Sequence, residues 1–134
     1  MTKMEEYENA WGLALTEKNF SLVDKLYHPM YRTPADPILG LDLTLEDDKT
    51  TFFDYIKMVL IGARPKIYED ENQLYYEEYH KYKDSDVFML VKYTFTYEGK
   101  KIIRRDAVHE ELDYDPSKGQ DWNWIDLSDW IGAT

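Results

Sequence analysis

Val87-Phe-Met-Leu-Val-Lys-Tyr-Thr-Phe-Thr-Tyr97, then Glu98-Gly99, then Lys100-Lys-Ile-Ile-Arg-Arg-Asp-Ala-Val-His-Glu-Glu-Leu112 is the stretch on which the fold turns. The first arm is rich in β-branched and aromatic residues, Glu98-Gly99 supplies turn chemistry, and Ile102 to Leu112 alternates afterwards. These features predict a long β-hairpin. Its second arm carries Arg104, Asp106 and His109. Ionisable groups inside a sheet are either salt-bridged at its surface or gathered at a polar spot in a pocket.

On the N-terminal side, Thr2 and Glu5 fit a capping box, and Met4, Tyr7, Trp11 and Ala14 recur on one helix face. A shorter helix follows with Leu22, Val23, Leu26 and Tyr27 on one side, stopped by His28-Pro29. Met30 to Leu43 contains Pro34, Pro37 and Gly40 and reads as a short strand near Tyr31 followed by a winding loop at the mouth of a site. Thr44 caps a third helix whose stripe is Phe52, Ile56, Val59, Leu60 and Ala63. Beyond Pro65, strands are expected over Lys66 to Tyr82, Val87 to Tyr97, Lys100 to Asp113 and Gln120 to Leu127, as an antiparallel meander. Helices before strands indicate an α+β fold with the three N-terminal helices packed on one face of a curved antiparallel sheet.

The 134 residues make one domain, spanning 1–134. An apolar content of 43% excludes wholesale disorder, and a net charge of -11 argues against nucleic acid and anionic membranes as partners. There is no cysteine, so disulfides and thiol nucleophiles are excluded. Three scattered histidines without paired spacing give no zinc signature, and neither a phosphate loop nor a Gly-x-Ser-x-Gly elbow is present. Asp113, Asp115, Ser117 and Gly119 fail the calcium-loop pattern, because Lys118 stands where it needs Gly and Trp124 where it needs a bidentate Glu. Neither a metal nor a nucleotide cofactor is therefore expected. Met1-Thr-Lys-Met-Glu-Glu6 turns acidic at once, unlike a secretory signal, and the longest apolar run is Met58 to Ala63. A soluble, cytoplasmic protein is the expectation.

The order helix, helix, short strand, Pro/Gly loop, helix and long strands ending in Ile125-Asp126 resembles the SnoaL-like branch of the nuclear-transport-factor-like, ketosteroid-isomerase-like superfamily. Local features add to it: Ala10-Trp11, Tyr27-His-Pro-Met-Tyr31, Leu39-Gly40 and Asp126. The resemblance implies a cone-like, cystatin-type body in which a curved sheet wraps a long helix around an apolar cavity, and a homodimer formed through the outer sheet face. It also implies one of two functions. The first is cofactor-independent acid-base catalysis of isomerase, cyclase or dehydratase type on a small apolar ligand. The second is a non-catalytic ligand-binding or protein-interaction domain, and fold alone does not choose between them.

Candidate residues come from strand register. With Glu98-Gly99 as a two-residue loop, Tyr97 pairs with Lys100, Tyr93 with Arg104, and Val91 with Asp106, so Arg104 and Asp106 point inward. A three-residue loop would instead send Arg105 and His109 inside. A four-residue turn at Lys83 to Asp86 pairs His80 with Met89 and Glu78 with Val91, on the same inner face. Asp106 and His80 are then candidate acid and base, with Arg104 orienting an anionic or carbonyl group. The bland alternative for Arg104 and Asp106 is an ion pair at the sheet rim. Trp11, Tyr31, Tyr55, Tyr93 and Trp124 are candidate ligand-gripping aromatics, against the plainer reading that they pack the core.

Overall fold

The computed structural model describes residues 1–36 and 41–132, so the expectations for Pro37, Leu39 and Gly40 lie outside the described residues. Helix α1, Lys3–Glu17, begins with the expected capping box: Thr2 Oγ1 accepts from the Glu5 amide at 3.1 Å and the Thr2 amide donates to Glu5 Oε1 at 2.9 Å. Each satisfies a backbone or side-chain group that the first turn would leave open. Its buried face is Met4, Ala10, Trp11, Ala14 and Leu15. Helix α2, Ser21–Leu26, buries Val23 and Leu26. Helix α3, Leu45–Met58, is capped by a second box, Thr44 with Asp47.

Strand β1, Tyr27–Asp36, is longer than the short strand expected near Tyr31, and it starts directly at the end of α2. Strand β2 is Leu41–Leu43. The apolar run after α3 turns from helix to strand at Val59, giving β3, Val59–Ile61, where a helical stripe to Ala63 was expected. Short apolar runs are ambiguous in this way, and Val59 and Ile61 are β-branched. The single strand expected over Lys66 to Tyr82 is two, β4, Lys66–Glu69, and β5, Gln73–Tyr82. Asp70 breaks it, because its Oδ1 accepts from the Asn72 and Gln73 amides at 2.8 and 3.0 Å and closes a tight turn.

Strands β6, Phe88–Glu98, and β7, Lys101–Leu112, form the predicted hairpin. The sheet order is β2-β1-β7-β6-β5-β3, with β4 also on β5. It is mixed, not purely antiparallel, because β1 runs parallel to β7. A parallel neighbour needs a crossover instead of a hairpin turn, so the meander pattern could not announce it. Between β5 and β6 the expected register is present, with Tyr76 opposite Tyr93, Glu78 opposite Val91 and His80 opposite Met89.

No strand forms over Gln120 to Leu127 among the described residues. Ile125 makes an isolated bridge to Ile61, and a short 3₁₀ turn, Leu127–Trp130, follows behind an Asp126 cap. Beyond that single backbone pair the indoles hold the segment down: Trp122 stacks on Tyr79 at 5.7 Å and Trp124 on Phe88 at 6.1 Å.

The core is gathered between α1, α2 and the inner sheet face, with Leu74, Phe95 and Ile102 fully buried. Each such side chain contributes about 1.5–3 kcal/mol relative to exposure. At the edge, Gly62 lets the two indoles approach the backbone. A Cβ there would lie 2.5 Å from Trp122 and 2.9 Å from Trp124. Gly62→Ala should cost about 1–3 kcal/mol in urea unfolding. An unchanged midpoint would mean that the tryptophans do not pack as described.

Candidate functional site

The inner face of the β6-β7 hairpin is decided by one residue. Glu98 pairs with Lys101 and Tyr97 with Ile102, so Gly99-Lys100 is the two-residue turn, with Gly99 at φ +62°. The expected loop, Glu98-Gly99, was one step off, yet that displacement leaves the faces unchanged, and Tyr97 and Ile102 are both buried. The next pair, however, is Thr96 with Arg104. Ile103 is left over as a β-bulge, and a surplus residue turns every later side chain to the opposite face. Phe95 therefore faces Arg105, Tyr93 faces Ala107 and Val91 faces His109.

Arg104 and Asp106, expected inside, are accordingly outside. They form a two-pronged ion pair, Nε to Oδ2 and Nη2 to Oδ1 both at 3.0 Å, with side chains 50% and 43% exposed. Such a pair contributes little.

Under the bulged register a cavity of about 410 Å³ opens between α1, α3, β1 and the inner face of β6 and β7. Its aromatic walls include Tyr7, Trp11, Phe52, Tyr55 and Tyr93. Trp11 is held by donating its indole N–H to Tyr27 Oη at 3.0 Å and by packing on Phe52 at 4.7 Å. Tyr31 sits just behind the wall. Trp124 does not line this cavity; it stacks on Phe88, which alternates away from the inward Val91 and Tyr93.

Two polar groups of residues meet the cavity. The first begins at Tyr55 on α3, whose hydroxyl lies 2.6 Å from His80 Nδ1. His80 Nε2 lies 2.7 Å from Glu78 Oε1, and Glu78 Oε2 accepts from Arg64 Nε at 2.8 Å. Arg64 in turn pairs with Glu8 of α1 at 2.6 Å. Period-two alternation puts Glu78 and His80 side by side on β5. His80 is 1% exposed and Glu78 is 6% exposed. A buried carboxylate accepts, so the Nε2 nitrogen carries the proton and Nδ1 accepts from the Tyr55 hydroxyl. Burial pushes the Glu78 carboxyl up, but the His80 hydrogen bond and charge and the Arg64 guanidinium outweigh it, leaving it below the ordinary value of 4.5. Burial raises the Tyr55 phenol, which stays neutral and a donor.

The second polar group is Asp48, Arg105, Tyr31 and Thr33. Asp48 lies in the first turn of α3, where its Oδ2 accepts from the Tyr31 hydroxyl at 2.6 Å. Arg105 Nη2 stands 3.6 Å from Asp48 Oδ1, and the Thr33 hydroxyl donates to the Arg105 carbonyl at 2.8 Å. Burial raises the Asp48 carboxyl, against the pull of Arg105 and the Tyr31 hydrogen bond. His109 stands at the exposed rim near the Tyr55 ring, 6.4 Å away, its imidazole held below 6.5 by burial and by His80 and Arg105.

Of the sequence candidates, the structure brings Trp11, Tyr55 and Tyr93 to the cavity, His80 and Tyr31 just behind it, and leaves Arg104, Asp106 and Trp124 apart. Asp48 and Arg64 were not singled out as site residues, and Arg105 was named, with His109, only as inward under a three-residue loop. One signal existed for Arg105: the doublets Ile102-Ile103 and Arg104-Arg105 break strict alternation. Asp48 gave none, hidden in Glu46-Asp-Asp48, an ordinary acidic first turn. Among the described residues, no group of three His, Asp or Glu side chains is placed to hold a metal ion.

Solved structures share this architecture. An NTF2-like protein from Anabaena variabilis is 14% identical, with 81% of this chain and 93% of that one covered at a TM-score of 0.56. A hypothetical protein of ketosteroid isomerase-like fold from Catenulispora acidiphila, solved in complex with trimethylamine, is 16% identical over 81% and 88%, at 0.55. A SnoaL-like protein from Mesorhizobium loti is 15% identical over 81% and 99%, at 0.51. No family model and no curated protein matches the sequence. At these identities the likeness is one of fold: α+β, as the sequence resemblance implied, with three helices and a mixed sheet where an antiparallel one was expected.

The Glu78 geometry has a consequence for acid stability. A carboxyl whose folded value lies below its unfolded one stabilises the fold above the unfolded value, and that contribution disappears as pH falls through the folded one. In urea unfolding between about pH 5 and about pH 3, the wild-type protein should lose stability more steeply than Glu78→Gln. Parallel slopes would show that Glu78 is not held ionised by His80 and Arg64.

Proposed function

We propose that the domain is a cofactor-independent acid-base enzyme acting on a small, flat, largely apolar molecule held in the cavity, with Tyr55 as the residue that exchanges the proton. The single observation supporting this is the unbroken chain from Tyr55 through His80 to Glu78, with contacts of 2.6 and 2.7 Å. A neutral phenol is a poor base alone. Backed by His80, its oxygen can take a proton from a substrate carbon while its own hydroxyl proton passes to His80 Nδ1. The products of that step are a neutral Tyr55, an imidazolium facing the Glu78 carboxylate and the enolate of the substrate. Reversing the transfer at a different carbon completes an isomerisation, and loss of a leaving group instead gives elimination. In this reading Tyr55 is catalytic, and His80 and Glu78 act through it.

The cavity is the open end of a cone-like, cystatin-type body, and two copies pair through the outer sheet face, where Val108 is 60% exposed. The strongly acidic chain, with no cysteine, suits a reducing cytoplasmic setting.

The test uses 2-tetralone, a flat ketone with acidic α-protons, in D₂O, with deuterium uptake followed by NMR. Wild-type protein should accelerate exchange, and Tyr55→Phe and His80→Gln should each lower the protein-dependent rate about 10²–10⁴-fold. Binding of 2-tetralone without accelerated exchange would overturn the enzyme reading in favour of a binding domain. Equal rates in wild type and both variants would remove the relay.

A further inference from the structure

The corner of the cavity lined by Asp48 and Arg105 holds an unbalanced pair. Asp48 is 4% exposed, and among the described residues its Oδ1 has no hydrogen-bond partner, while Oδ2 is taken by Tyr31. An unsatisfied buried acceptor costs about 1–3 kcal/mol, so Oδ1, closed off from solvent next to the cavity that Asp48 lines, calls for a donor. Arg105 does not supply it. Its Nη2, at 3.6 Å, attracts by charge but lies outside hydrogen-bond reach, and its Nε makes only a long contact of 3.4 Å to Thr33 Oγ1. Its side chain is 28% exposed and lines the same cavity, so the guanidinium can give way slightly and still has donors to offer.

We propose that Asp48 and Arg105 form a subsite for the primary carboxamide group of a flat apolar ligand. The amide N–H donates to Asp48 Oδ1, the amide carbonyl accepts from Arg105, and the ring lies against Trp11 and Phe52. The nitrogen and oxygen of one amide sit side by side, as Oδ1 and Nη2 do, so the two bonds run in parallel. Charge then selects among ligands of one shape. A carboxylate would gain Arg105 but face Asp48. An amidinium would gain Asp48 but face Arg105. A ketone could satisfy Arg105 alone and would leave Oδ1 unpaired. Only a neutral group that both donates and accepts satisfies the two residues together.

The inference rests on the cavity being a ligand site but not on the Tyr55 relay. Its test is calorimetric titration of the full chain with benzamide, benzoate and benzamidine, which share size and shape. Benzamide should bind about tenfold or more tighter than either charged analogue, a difference of about 1.4 kcal/mol. Asp48→Asn should abolish that preference and favour benzoate, because Arg105 then has no carboxylate beside it. Arg105→Gln should shift the preference towards benzamidine. The ranking is read from binding alone, without turnover, which keeps failure here distinct from failure of the relay. Benzoate or benzamidine matching benzamide on the wild-type protein would overturn the proposal even if neither corner variant folds. So would no binding by any of the three at millimolar concentration.

Discussion

Ile103 occupies a place in β7 for which β6 has no partner, and that surplus rotates the rest of the strand by half a period. Every later feature of the cavity depends on it. Without the bulge, Arg104 and Asp106 would stand on the inner face opposite Phe95 and Tyr93. With it, Arg105 comes to Asp48 and Thr33, His109 comes to the rim near Tyr55, and Arg104 and Asp106 pair harmlessly in solvent. Bulges cluster beside active sites because they re-aim side chains in this way.

The inward face also carries the least forgiving electrostatics in the molecule. Glu78 and His80 are buried, and burying a charge is costly unless its lone pairs and protons are matched. Arg64 and His80 between them take both Glu78 oxygens, and Tyr55 takes the remaining imidazole nitrogen. This chain is fully partnered, whereas the Asp48 corner is not. The contrast suggests two jobs for two ends of one cavity, proton movement at the satisfied end and recognition at the unsatisfied one.

Much of the frame was legible from local rules. Thr2 with Glu5 and Thr44 at the head of α3 announced the two long helices, because capping groups lie next to the helices they start. The β5-β6 register followed from a turn four residues long, and with it the inward placement of Glu78 and His80. What escaped depends on contacts distant in sequence. The parallel β1-β7 pairing joins residues about 70 positions apart, such as Arg32 and Arg104. Trp124 was misplaced because its stacking on Phe88 replaces a strand that its own segment seemed to predict. The bulge was the decisive omission: turn length was weighed as the sole arbiter of the inner face, yet the turn kept the expected parity and Ile103 changed it.

Register is therefore what should be measured first. A NOESY spectrum of isotopically labelled protein reads it directly, since paired residues of an antiparallel ladder bring their backbone protons close together. The account predicts cross-strand contacts between Tyr93 and Ala107 and between Val91 and His109. Contacts of Phe95 with Arg104 and of Tyr93 with Asp106 would contradict it and return Arg104 and Asp106 to the cavity.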